Sequence, residues 1–172
     1  MSRYRRIVVA LGLLAAFAGQ SVAAKDTPLQ AWPAAHATPA LQLEDLNGKQ
    51  WRLADLRGKV VVVSFWATWC EYCAEEMAFL DGVAKSEADR LVVLGVNYKE
   101  PAERVRRSPV ANRSALTLLL DPSGQSFAKW GGAVLPTTVL VDRKGKARWR
   151  AVGALDASDS AFRDALAQLL KE

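Results

Sequence analysis

The sequence predicts an α/β fold: a central mixed sheet flanked by helices, with a β-hairpin added on its N-terminal side. Three observations carry this. Val60-Val61-Val62-Val63-Ser64-Phe65 and Leu91-Val92-Val93-Leu94-Gly95-Val96 are continuous apolar runs of strand length, suited to strands covered on both faces. Between them, from near Cys70, lies a segment of helical length and composition. Strand, helix, strand in that order makes the two strands a parallel pair. Asn47-Gly48 and Lys144-Gly145 each separate two strand-like segments, the pattern of antiparallel hairpins.

The elements follow in chain order. Residues 1–24 read as a signal peptide. Arg3, Arg5 and Arg6 precede a 12-residue apolar run (7–18), and small residues follow up to Ala24, the order of a secretory leader. Gln20 and Ser21 end the run short of the roughly 20 apolar residues a spanning helix needs. Cleavage after Ala23 or Ala24 is the expectation, with an uncleaved anchor as the alternative. Residues 25–40 carry Pro28, Pro33 and Pro39 and many alanines, and read as an extended linker; His36 lies there as a solvated loop residue. Residues 41–172 form the domain. Residues 41–56 make the first hairpin. The helix from Cys70 and the strand at 91–96 come next. A solvated helix is expected within 101–113, a strand at 116–120, a short helix at 126–130, and a hairpin of 137–141 with 147–152. A terminal helix over 159–170 has Ser158 as its candidate cap and Phe162, Leu166, Leu169 and Leu170 on its apolar face.

Composition supports one packed domain: 172 residues, 51% hydrophobic and 24% charged. The three N-terminal arginines supply three of the five formal positive charges, leaving +2 for the rest. That balance, without a basic stripe interleaved with aromatics, excludes nucleic acid as a partner.

The chain has two cysteines, in Cys70-Glu71-Tyr72-Cys73, and one histidine. A disulfide closing so short a gap constrains the unfolded chain little, and a four-ligand zinc site needs more donors. In an exported chain the pair therefore reads as redox chemistry. A helix starting at Cys70 presents unpaired N–H groups and the positive end of its dipole to the first thiol, which favours the thiolate. Cys73, three residues on, shares that face. Cys70, exposed at the junction, is expected to attack a partner disulfide, and Cys73, buried one turn in, to resolve the mixed intermediate. At about 100° per residue, Cys73, Met77, Leu80, Val83 and Ala84 form one apolar arc. Glu76 falls inside it; Glu71 and Glu75 fall outside. Glu76 is predicted to be buried near Cys73, with a raised pKa, and to serve its deprotonation.

Residues 63–73, Val-Ser-Phe-Trp-Ala-Thr-Trp-Cys-Glu-Tyr-Cys, resemble the thioredoxin active-site strand and turn. The closer resemblance is to the TlpA/ResA-like family of exported thioredoxins. It extends through Leu43-Glu44-Asp45-Leu46-Asn47-Gly48, Leu53-Ala54-Asp55-Leu56-Arg57-Gly58-Lys59, Leu120-Asp121-Pro122-Ser123-Gly124 and Leu135-Pro136-Thr137-Thr138-Val139-Leu140-Val141-Asp142, covering about residues 41–171 in the expected order. The resemblance implies a thioredoxin-like fold, Cys70 and Cys73 as the redox pair, Glu76 as the acid beside them, and Pro136 as the cis-proline facing the disulfide. The backbone of Leu135 would then pair with an extended substrate, and Trp69 would flank it. Without the resemblance, Pro136 reads as an ordinary strand-start proline. Three positions depart from the pattern. Ser64 stands where thioredoxin has a buried Asp, Tyr72 where proline is usual between the cysteines, and Ala78 where this branch often has proline.

The function these readings imply is a periplasmic thiol–disulfide oxidoreductase. It would act as a dithiol reductant of exported proteins, on cytochrome c maturation or copper-site assembly thiols. It would take electrons from a membrane donor, since the periplasm is kept oxidising, and would work as a monomer without cofactor or metal. A disulfide oxidant or isomerase is the alternative, slightly favoured by the Cys-x-Tyr-Cys pattern. A Cys-x-x-Cys copper-binding module is a third reading, unsupported by any methionine cluster or placed histidine.

Overall fold

A computed structural model describes residues 28–113 and 115–172; the leader expected at 1–24 lies outside them. Eight strands form one mixed sheet: β1 (Leu29–Ala31), β2 (Gln42–Asp45), β3 (Gln50–Arg52), β4 (Val60–Trp66), β5 (Leu91–Tyr98), β6 (Leu116–Asp121), β7 (Thr137–Val141) and β8 (Ala147–Val152). Their spatial order is β1-β8-β7-β4-β5-β6-β2-β3. The two apolar runs are the neighbours β4 and β5, parallel and in register from Val60 opposite Leu91 to Trp66 opposite Asn97. β6 continues the parallel set, while β7, β8, β1, β2 and β3 pair antiparallel.

Every residue of β4 is buried because both faces of the sheet are covered. Val60, Val62 and Trp66 point into a core shared with helix α1 (Glu71–Ser86) and the terminal helix α4 (Ser160–Lys171). Val61, Val63 and Phe65 point the other way, towards Phe127 of the short helix α3 (Gln125–Lys129) and Trp130. Fully burying one such valine contributes about 1.5–3 kcal/mol, so β4 anchors both layers. The active-site turn leaves from its C-terminal end.

Three local expectations are corrected. The stretch 25–40, expected as a linker, contributes β1 to the sheet edge. Leu29 lies opposite Ala151 and Ala31 opposite Trp149, and the Trp32 ring meets Trp130 edge-on at 6.0 Å. β1 therefore starts at the end of the sheet where Val152 pairs with Thr137 and runs away from it. The solvated helix expected within 101–113 breaks into α2 (Ala102–Arg106) and a 3-10 turn at Pro109–Asn112. Pro109 lacks an N–H and holds Ser108 extended, while buried Val105 and Val110 tie both pieces to the core. At α4 the N-cap is Asp159, not Ser158; Ser158 instead donates from its backbone and hydroxyl to the Asp156 carboxylate.

Candidate active site

Cys70 is the N-cap of α1, with extended backbone (φ −92°, ψ 106°), and its N–H donates back to the carbonyl of Ala67 at 3.2 Å. It is joined by a disulfide to Cys73, with 5.2 Å between the Cα atoms. The contrast in exposure is smaller than the sequence suggests: Cys70 keeps 9% of its surface against 0% for Cys73, because Cys70 packs into the α1 core together with its partner. What surrounds the pair is open. Among the described residues, the exposed large hydrophobics are Trp69 (63%), Tyr72 (67%) and Val134 (56%). Two of these flank Cys70 in the chain. The third precedes Leu135, which packs on the cluster holding both cysteines. The Leu135–Pro136 bond is cis, and the Pro136 carbonyl accepts from Gly153 N–H at 3.0 Å.

Glu76 lies on the buried arc of α1 at 0% exposure. Its Oε1 accepts from Ser64 Oγ at 2.8 Å and Thr138 Oγ1 at 2.5 Å, and its Oε2 from Leu155 N–H at 2.8 Å. Ser64 and Thr138 stand directly opposite each other on β4 and β7, so the sheet register presents both hydroxyls to one oxygen. Burial pushes the carboxyl above its ordinary range; the three donors oppose that, and nearby Asp159 adds to it. A carboxyl one helical turn from Cys73, inclined to hold a proton yet prepared to shed it, has the properties of an acid–base group for that thiol.

A second acid escapes sequence reasoning. Glu100 is 6% exposed. It accepts from Thr68 twice, from the N–H at 2.7 Å and the hydroxyl at 2.6 Å, and from Asn97 Nδ2 at 2.9 Å; Arg104 stands 3.7 Å away. Thr68 lies in the turn between β4 and Cys70, so Glu100 fixes the approach to the first thiol. The chain bends into this contact through Lys99, held at φ 56°, a left-handed conformation costing a non-glycine residue about 1–2 kcal/mol. The partners are 32 positions apart, and no local pattern announces them. Burial raises the carboxyl, but the Thr68 and Asn97 hydrogen bonds and Arg104 outweigh it and hold it below the ordinary range. Its stabilising contribution is therefore present above the ordinary carboxylate range and is lost as pH falls through the folded value. Glu100→Ala is expected to cost about 2–3 kcal/mol in urea unfolding at pH 7. Glu100→Gln should cost less and should remove this part of the acid sensitivity. Equal losses in both variants at every pH would refute the assignment.

A thioredoxin-like sheet presenting a Cys-x-x-Cys pair at a helix N-cap defines a thiol–disulfide oxidoreductase. Comparison with known proteins places the chain more closely. Residues 34–150 match the AhpC/TSA family. ResA, a thiol–disulfide oxidoreductase of Geobacillus thermodenitrificans (strain NG80-2), is 34% identical over 157 residues, covering 90% of this chain and 89% of that protein. The thiol:disulfide interchange protein HelX of Rhodobacter capsulatus is 35% identical over 120 residues, 68% of this chain and 66% of that one. Among solved structures, the exposed lipoprotein thioredoxin of Streptococcus pneumoniae superposes with a TM-score of 0.59 at 30% identity, covering 77% of this chain and 98% of its own. The chain belongs to the AhpC/TSA family, among its ResA-like thiol–disulfide oxidoreductases.

Proposed function

We propose that this oxidoreductase is a periplasmic dithiol reductant of exported proteins. In its reduced form the Cys70 thiolate attacks a substrate disulfide. One substrate sulfur leaves as a thiolate, and a Cys70–substrate disulfide forms. Cys73, deprotonated with the help of Glu76, then attacks Cys70 Sγ. The second substrate thiol is released and Cys70–Cys73 closes, so two electrons pass to the substrate. A membrane-bound donor restores the dithiol. The observation that carries this reading is Glu76, buried on the Cys73 face of α1 and held by Ser64, Thr138 and Leu155. Trp69, Tyr72 and Val134 offer an apolar surface to an extended partner, and Leu135 and Pro136 border it. The leader at 1–24 supports export with cleavage, and residues 41–172, joined at the sheet edge by β1 (Leu29–Ala31), form the catalytic domain, acting as a monomer. Apocytochrome and copper-site cysteines are the substrates to try first.

The second reading, an oxidant or isomerase, is favoured by Tyr72, exposed between the cysteines where proline is usual, while Glu71 in the first turn of α1 counts against it, since a charge that opposes the Cys70 thiolate destabilises the reduced form. The reduction potential of Cys70–Cys73 separates the two, read from Trp69 fluorescence against a dithiol buffer. A value near roughly −270 mV, that of thioredoxin, is expected; one near roughly −120 mV would replace the reductant reading by the oxidant one.

A further inference from the structure

The loop joining β8 to α4 is gripped by two buried carboxyls. Leu155 N–H donates to Glu76 Oε2 at 2.8 Å, and the next amide, Asp156 N–H, donates to Asp159 Oδ2 at 2.8 Å. Consecutive backbone nitrogens are at most about 3.6 Å apart, so the two carboxylate oxygens lie within roughly 9 Å of each other. Glu76 is 0% and Asp159 2% exposed, so little water screens one from the other. Asp159 is the N-cap of α4.

The other groups around Glu76 leave Asp159 as the charge that matters. β4 and β7 present the Ser64 and Thr138 hydroxyls. α1 presents Cys73 on the same face, while Glu75 is exposed. On the loop and α4, Asp156 and Arg163 are exposed, and Asp156 is engaged with Ser158.

We propose that Asp159 is a positioning residue acting through Glu76: its negative charge across the Leu155–Asp156 amides contributes to setting the pH at which Glu76 exchanges a proton with Cys73. The inference rests on Glu76 serving Cys73. The S–H bond of Cys73 breaks as an O–H bond forms on Glu76, and the thiolate so made attacks Cys70 Sγ. The departing substrate thiolate takes up a proton. A neighbouring negative charge makes the Glu76 carboxyl keep its proton to higher pH, and so places the limb of the rate profile that Glu76 controls.

The test is the pH profile of the resolving step, followed by release of a thiol from a preformed mixed disulfide on Cys70, in Asp159→Asn, Glu76→Gln and the double variant. Asparagine can still accept from Asp156 N–H without the charge. The expected result is a Glu76-dependent midpoint about one pH unit lower in Asp159→Asn, with no further change when Asp159→Asn is added to Glu76→Gln. Asp159→Ser removes the charge but keeps a favourable N-cap residue. It should give the same shift, and it carries the test if the asparagine variant folds poorly. An unmoved midpoint in both Asp159 variants, with Glu76→Gln flattening the profile, would overturn the role of Asp159 alone. A shift that persists in the Glu76→Gln background would show that Asp159 acts otherwise than through Glu76, and would also overturn it. A profile that Glu76→Gln leaves unchanged would overturn the reading of Glu76, and this inference with it.

Discussion

Cys70→Ser is expected to abolish thiol–disulfide exchange, lowering turnover by about three orders of magnitude or more, whereas Cys73→Ser is expected to react once and stop. The difference follows from position. Cys70 caps α1 and keeps its small share of surface beside Trp69 and Tyr72, while Cys73 has none. Serine at 70 leaves no nucleophile that a partner can reach, because a neutral hydroxyl does not replace a thiolate. Serine at 73 leaves the nucleophile intact but removes the group that releases the product, so the substrate stays bound through Cys70. Turbidity in an insulin-reduction assay measures the first effect. Intact mass after mixing reduced Cys73→Ser protein with a disulfide peptide measures the second, as one added peptide thiol. An adduct on Cys73 in the Cys70→Ser protein, formed at the wild-type rate, would reverse the assignment.

Glu76→Gln is expected to slow resolution about 100-fold at neutral pH, within the range that a positioned acid–base group supplies, while leaving formation of the mixed disulfide nearly unchanged. It should also alter stability in a direction fixed by linkage. Burial raises the folded-state pKa of Glu76 above its unfolded value, so between the two values the native state holds the extra proton. Its contribution is fully present below the unfolded value and is lost as pH rises through the folded one. The urea midpoint of the oxidised wild type should therefore fall over that interval, and this component should be missing in Glu76→Gln. The amide has its own cost, since an NH₂ group facing Leu155 N–H sets donor against donor. The comparison to make is the slope against pH, not the absolute midpoint. Parallel slopes would mean that Glu76 does not change its protonation over the range tested.

The parts of the structure that could be read from the chain are those whose causes are local or periodic. Unbroken apolar runs gave β4 and β5, because a strand covered on both faces has no polar side to display. Asn47-Gly48 located the turn between β2 and β3, and the helical period put Glu76 among buried residues. What stayed hidden depends on distant partners. Glu100 sits in a short segment before a proline with nothing to distinguish it from a surface acid; its meaning comes from Thr68, across the sheet end. β1 is three residues long, follows Pro28, and owes its strand conformation to β8, about 120 positions later. Asp159 and Ser158 are both good capping residues, and the choice between them is made by the Asp156 amide that Asp159 holds.

The direction of β1 also bears on how the protein is handled. Because Leu29 enters the sheet opposite Ala151, one pair from the Val152–Thr137 rung next to Pro136, whatever is fused upstream joins the fold at its redox end. The other terminus closes at the opposite end: Arg143, just beyond the last residue of β7, donates to the Leu170 carbonyl at 3.0 Å, and Glu172 pairs with Arg148. An affinity handle, fluorophore or surface tether placed before Leu29 therefore lies at the same end of the sheet as incoming substrate. The same group appended after Glu172 leaves Trp69 and Tyr72 unobstructed, and immobilisation through that end presents the disulfide outward.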